Sequence, residues 1–204
     1  MTLELWLSLV VICILGALSP GPSLALVVRN TMLGGQKSGL ATALSHGFGV
    51  GLYAAIAVTG IGLVIVQSPL LFQTVQYAGA GFLLHLAFNA LKSNGSNIEL
   101  DVDQEQSTKQ INGWRDGFLL AFLNPKLAIF FLALFSQFVD VNASISHKLI
   151  MIFTVGGLDA LWYCLVAFGL SRGPVLEKLK ANSHVIDKIT GVVLILLAVR
   201  VVIN

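Results

Sequence analysis

Two ionisable residues stand where an apolar chain rarely tolerates them. Lys126 lies within the run Gly117 to Val139, and Asp159 within Leu149 to Leu170. At 1.5 Å per helical residue they sit ~14 Å and ~15 Å from the start of their runs, about half of the ~30 Å of hydrocarbon in a bilayer. A charge at that depth is costly and marks function by default. Asp159 is the only acid well inside such a run, and an unpaired carboxylate is unfavourable there. It is therefore expected to pair with Lys126, to hold a cationic group, or to exchange a proton. Lys126 has one bland option, extending its stem to the cytoplasmic headgroups.

Beside these charges the helices are expected to break. Ser19-Pro20-Gly21-Pro22 removes backbone donors and obstructs the preceding turn, and Asn124-Pro125 reads as a restart, with Asn suited to the cap and Pro to the first helical position. Each could be a packing kink, but paired interruptions in corresponding places point to a binding site in a carrier built from inverted repeats. Helices restarting after Pro22 and Pro125 would offer free N–H groups and positive dipole ends, which favour an anion such as a carboxylate. With Lys126 on the same side and Asp159 opposite, the pattern complements a zwitterion such as an amino acid.

The elements that must position these groups follow from composition. Of 204 residues 56% are hydrophobic and 11% charged, with a mean hydropathy of +0.86, against about 25% charged in soluble domains. This implies an all-α polytopic membrane protein with six transmembrane helices: Leu5 to Val28, Leu40 to Val66, Leu70 to Leu91, Gly117 to Val139, Leu149 to Leu170 and Val185 to Ile203. Gln67-Ser68-Pro69 should make a tight hairpin. The single transmembrane domain, 1–204, then divides into a first half 1–91, a polar cytoplasmic connector 92–116 carrying Glu99, Asp101, Asp103 and Glu105, and a second half 117–204.

Three spans per half require the halves to be inverted. Leu18-Ser19-Pro20 is echoed by Leu123-Asn124-Pro125, and Gly51-Leu52-Tyr53-Ala54 by Gly157-Leu158-Asp159-Ala160, at nearly equal offsets. Nine of the twelve Lys and Arg fall in the loops after spans one, three and five, counting Lys188 in the first turn of span six with the last of these, which predicts those loops inside and both termini outside the cytoplasm. Met1 to Glu4 lacks a cationic leader, so the segment from Leu5 is expected to be retained.

Weaker signals surround the pair. His46, near Gly47, Gly49 and Gly51, and His85, deep in span three, are each either a hydrogen-bonded packing residue or a proton relay. Trp162 and Tyr163 follow Asp159 and, like Tyr53 in the repeated segment, are candidates to line a cavity or simply to pack. Cys13 and Cys164 are read as buried free thiols. No cofactor or metal constellation is called for. The net charge of +2 is too small and too dispersed for nucleic acid.

The combination of Ser19 to Pro22, Gly34-Gly35-Gln36-Lys37-Ser38-Gly39-Leu40, Leu123 to Lys126 and Asp159 with Trp162-Tyr163 resembles the LysE/RhtB family of amino-acid exporters over essentially the whole chain. The resemblance implies a small carrier of the bacterial inner membrane that expels amino acids or close derivatives by exchange with protons. It casts Ser19, Pro20, Gly21, Pro22, Asn124, Pro125 and Lys126 as the helix breaks and Asp159 as the span-five acid. A family segment resembling Gly79 to Ala87 usually has Tyr where His85 stands and Gly where Ala87 stands.

The expected partners are a small zwitterionic substrate, protons and the lipid bilayer, with a homo-oligomer left open. The substrate carboxylate would meet the half-helix ends, while its amino group competes with a proton at Asp159. A metal or inorganic-ion exporter is the alternative, though it would need several converging ligands. A membrane thiol-disulfide oxidoreductase using Cys13 and Cys164 is a more distant one, since neither has an adjacent proline.

Overall fold

The computed structural model describes residues 2–19, 21–93, 111–138, 143–170 and 175–203, all-helical in their regular structure. Pro20, Lys109, Arg172 and connector residues 94–110 lie outside the described residues. The helices are α1 (Leu3–Leu18), α2 (Pro22–Gln67), α3 (Pro69–Lys92), α4 (Gly113–Phe122), α5 (Pro125–Phe135), α6 (Ile145–Leu170) and α7 (Val175–Ile203). Helical stretches Pro22–Ile61, Ile145–Gly169 and Ala181–Arg200 are long and apolar enough to cross a membrane, and α4 with α5, bent by 56°, can form a fourth span.

Local chemistry explains the boundaries. Thr2 caps α1 by accepting from the Leu5 N–H at 3.4 Å, and the helix ends at Ser19, whose N–H closes on the Leu15 carbonyl. Pro22, with no donor to lose, opens α2. Ser68 is the one residue between α2 and α3: its N–H donates to Val64 and its hydroxyl accepts from Leu71. Asn124 caps α5 through the Lys126 N–H at 3.0 Å, with Pro125 in the first turn.

The connector expected between spans one and two is corrected. Helix continues from Pro22 past Val28 and through Leu40, interrupted only at Gly35, where φ is 75° and ψ 173°. That conformation favours glycine, so one residue turns the corner that a loop was expected to make. Asn30 is consequently buried rather than in a surface loop, and its amide donates to Thr42 Oγ1 at 3.0 Å and Asp116 Oδ2 at 3.5 Å.

The surface is strongly apolar. Leu7, Val11, Phe48, Ile56, Phe88, Phe153, Leu165 and Leu196 are exposed, while Asn30, Thr42, Ser45, His46, Asp187 and Thr190 are buried. Such a distribution suits a chain whose solvent is lipid. Asp187 is a buried acid that the search for acids within spans passed over, because it lies near the start of its run. It accepts from Ser93 Oγ at 2.6 Å, while the neighbouring Lys188 ammonium donates to the Leu91 carbonyl, so both residues tie α7 to the end of α3.

At the heart of the fold α2 crosses α6 with backbone against backbone. A Cβ on Gly156 would lie 2.8 Å from the Gly47 carbonyl oxygen and 3.0 Å from Gly51 Cα, whereas one on Gly157 would meet nothing within 4 Å. Gly156→Ala is therefore expected to destabilise the protein by about 1–3 kcal/mol through overpacking, and Gly157→Ala to leave it nearly unchanged. Thermal unfolding of the two variants in detergent checks this, and equal melting temperatures would contradict the crossing.

Candidate functional site

The two helix breaks open onto one cavity of about 290 Å³. From the first break come Ser19, Gly21, Pro22 and Ser23, and from the second Asn124 and Lys126. His46 projects from α2, Asp159 and Tyr163 from α6, and Thr190 from α7, with Ile12, Val50, Leu127, Phe130, Val155 and Leu194 among the apolar lining. Most of the lining is apolar, with a few convergent polar groups, the usual composition of a small-molecule site.

Asp159 does not take Lys126 as its partner. Its Oδ2 lies 2.6 Å from His46 Nδ1, and His46 Nε2 lies 2.9 Å from Ser23 Oγ. The Tyr163 ring packs edge-to-face on the imidazole, 5.1 Å between centroids. One chain of polar contacts therefore runs from the acid on α6 through His46 to the first turn of α2. The expectation of a Lys126–Asp159 pair fails because the glycine crossing carries His46, one residue before Gly47, directly against α6. Lys126 instead stands exposed on the cavity wall.

The two helix starts are not equivalent. At the second, the Asn124 side chain already occupies the Lys126 N–H. At the first, Gly21 has no side chain to cap with, and Pro22 and Ser23 follow it onto the cavity wall. That leaves the α2 start as the more open of the two positive dipole ends, with an anion there lying beside the Ser23–His46–Asp159 chain.

Other candidates are dispersed. Tyr53 donates its hydroxyl to the Phe122 carbonyl at 2.6 Å, satisfying the end of α4 beside the second break, and is not on the cavity wall. His85 faces outward on α3, hydrogen-bonded to Asn89 at 3.0 Å, and Trp162 packs beside the α2–α6 contact; neither lines the cavity. Cys13 and Cys164 are free thiols, Cys13 on the cavity wall and Cys164 against the α2–α6 cluster. Among the described residues no three His, Cys, Asp or Glu side chains come together as a metal site. Ser23 escaped the sequence reading, although a hydroxyl directly after Pro22, in the first turn of a restarted helix, was a usable signal.

An apolar helical shell around a mostly apolar cavity, with a few polar groups converging at two helix breaks, is the form of a membrane translocator. Residues 14–204 match the family model described as LysE type translocator, and the chain belongs to that family. It is 29% identical over 185 residues to the uncharacterized membrane protein YrhP of Bacillus subtilis (strain 168), covering 86% of this chain and 88% of that protein. A leucine efflux protein of Salmonella choleraesuis (strain SC-B67) is 27% identical over 161 residues, 76% of this chain and 73% of the relative. The leucine efflux protein of Salmonella typhi gives the same figures. No solved structure matches the chain.

Proposed function

We propose that this protein exports amino acids or close derivatives from the bacterial cytoplasm by alternating access, in exchange for protons. The reading is carried by the meeting of both helix breaks, Lys126 and Asp159 on one cavity wall. The substrate carboxylate is received by the open start of α2 at Gly21 and by Lys126, and its ammonium by Asp159. Beyond the His46–Asp159 pair, the wall offers, among the described residues, one cationic and no further acidic side chain. These complement the two ends of a zwitterion and leave no counter-charge for an ionised side chain, so a neutral amino acid with an apolar side chain fits best. The names of the leucine efflux relatives accord with this. An inorganic-cation exporter is less well supported, since the acid and the imidazole on the wall bond each other.

The proposed setting is the inner membrane, with both termini outside the cytoplasm and six spans in two inverted halves, 1–91 and 117–204, joined by 92–116. The first span is α1 with the opening turns of α2, and the fourth is α4 with α5. Helix packing is consistent with exchange of the halves in three of its pairs: α2 packs on its counterpart α6 and α3 on α7, while α1–α6 corresponds to α4–α2. Tyr53 and Asp159, counterparts in the repeated segment, each reach toward the helix break of the other half. The cavity is lined from within one chain, so the proposed site does not call for a second copy.

The test is uptake of a panel of labelled amino acids, leucine included, into inverted vesicles with an imposed proton gradient. Accumulation of neutral apolar amino acids above vesicles lacking the protein is expected. Uptake of none of the panel would overturn the reading.

A further inference from the structure

The acid and the imidazole of the site differ in how they meet the cavity. The Asp159 side chain keeps 13% exposure against 1% for His46. An incoming ammonium therefore meets Asp159 first, with His46 deeper on the same cavity wall. Both ring nitrogens of His46 face an oxygen, Nδ1 at 2.6 Å from the carboxylate and Nε2 at 2.9 Å from the Ser23 hydroxyl. That is the environment an imidazolium needs, because each of its two N–H groups requires an acceptor, and the contact to a carboxylate is charge-assisted. The other titratable groups facing the pair are Tyr163 on α6, Cys13 on α1, and Lys126 across the cavity on α5.

Resting on the proton-exchange reading above, we propose that the exchanged proton is carried by His46, and that Asp159 stays ionised throughout the cycle, paired alternately with the imidazolium and with the substrate's ammonium. On the cytoplasmic side the ammonium arrives at Asp159, and the His46 imidazolium breaks one N–H bond and passes that proton to cavity water. On the outer side the ammonium departs and the neutral imidazole forms one N–H bond with a proton from water. Asp159 thus faces one cation in either state, and no buried charge is left unpaired. Coupling follows by reciprocity: whatever the ammonium does to proton binding at His46, the proton does equally to ammonium binding. Each cycle carries one positive charge inward while a net-neutral zwitterion leaves, so the exchange responds to membrane potential as well as to the pH gradient.

Leucine counterflow in proteoliposomes first establishes carriage by the wild type; its absence, with that of the other panel amino acids, would sink the function proposed above. With carriage established, proton release on leucine addition to purified protein is read with a pH dye, and infrared difference spectra are taken on the same samples. The expected result is about one proton released per leucine bound, with loss of imidazolium bands and no change in a protonated-carboxyl band. Disappearance of a protonated-carboxyl band on binding would place the proton on Asp159 and overturn the inference. His46→Gln, which keeps a donor toward Asp159 but cannot titrate, is expected to bind leucine at least as tightly as the wild type, since no proton has to leave. It should release no proton per leucine bound. An unchanged proton-to-leucine ratio in that variant would equally overturn it. The wild-type spectra decide the matter even where the variant fails to fold.

Discussion

Asp159→Asn is expected to abolish concentrative transport, with proton-driven uptake into inverted vesicles falling by on the order of 10²-fold or more, the scale of removing one partner of a buried charge pair at a binding site. The substitution keeps the size of the side chain and an oxygen that His46 can still meet, so helix packing should survive and thermal stability should change far less than transport. What disappears is the anion. Neither an imidazolium nor an ammonium then has a counter-charge in the cavity, and no state of the proposed cycle stays balanced. Wild-type uptake by this variant, at matched protein in the vesicles, would remove Asp159 from the coupling.

Lys126→Gln is expected to act on the other pole, and differently. Lys126 stands exposed on the cavity wall without a carboxylate partner on Asp159, so its charge is available to an arriving carboxylate. Losing a charge-assisted hydrogen bond predicts a KM for neutral amino acids about 10- to 100-fold higher. The maximal rate should fall less, because Asp159 and His46 remain. Lys126→Arg should recover part of the loss. Initial rates over a concentration series separate the effects, and an unchanged KM in Lys126→Gln would assign the carboxylate to the start of α2 alone.

What could be read from the chain and what could not divide along a physical line. The helix breaks were legible because proline and asparagine act on their own backbone: Pro22, Asn124 and Pro125 stand at helix starts whatever surrounds them. Asp159 was legible because a carboxylate in a long apolar run is conspicuous. Its partner was not. His46 lies 113 positions away, and the contact depends on how closely α2 and α6 approach, which a local pattern does not encode. The outward face of His85 was hidden for a related reason. An apolar helix in an apolar solvent has a weak contrast between its faces, so its rotational phase is hard to read. The corner at Gly35 was noticed as a glycine pair but taken for a loop, since only the backbone angles show that helix resumes at once on the far side.

The crossing of α2 on α6 has a mechanical consequence. With carbonyl and Cα closely apposed at Gly47, Gly51 and Gly156, the helices meet there backbone to backbone, while Leu24, Val27, Tyr163 and Val166 pack them together elsewhere, and the glycine contact resembles a bearing. Points close to a bearing move little while distant ones sweep widely. His46 adjoins it on one helix and Asp159 lies one turn from Gly156 on the other, so a swing of either helix leaves their separation nearly constant as the far ends part or close. In the proposed alternating-access cycle the His46–Asp159 pair would sit at the fulcrum, keeping its spacing while the doors at either end exchange places.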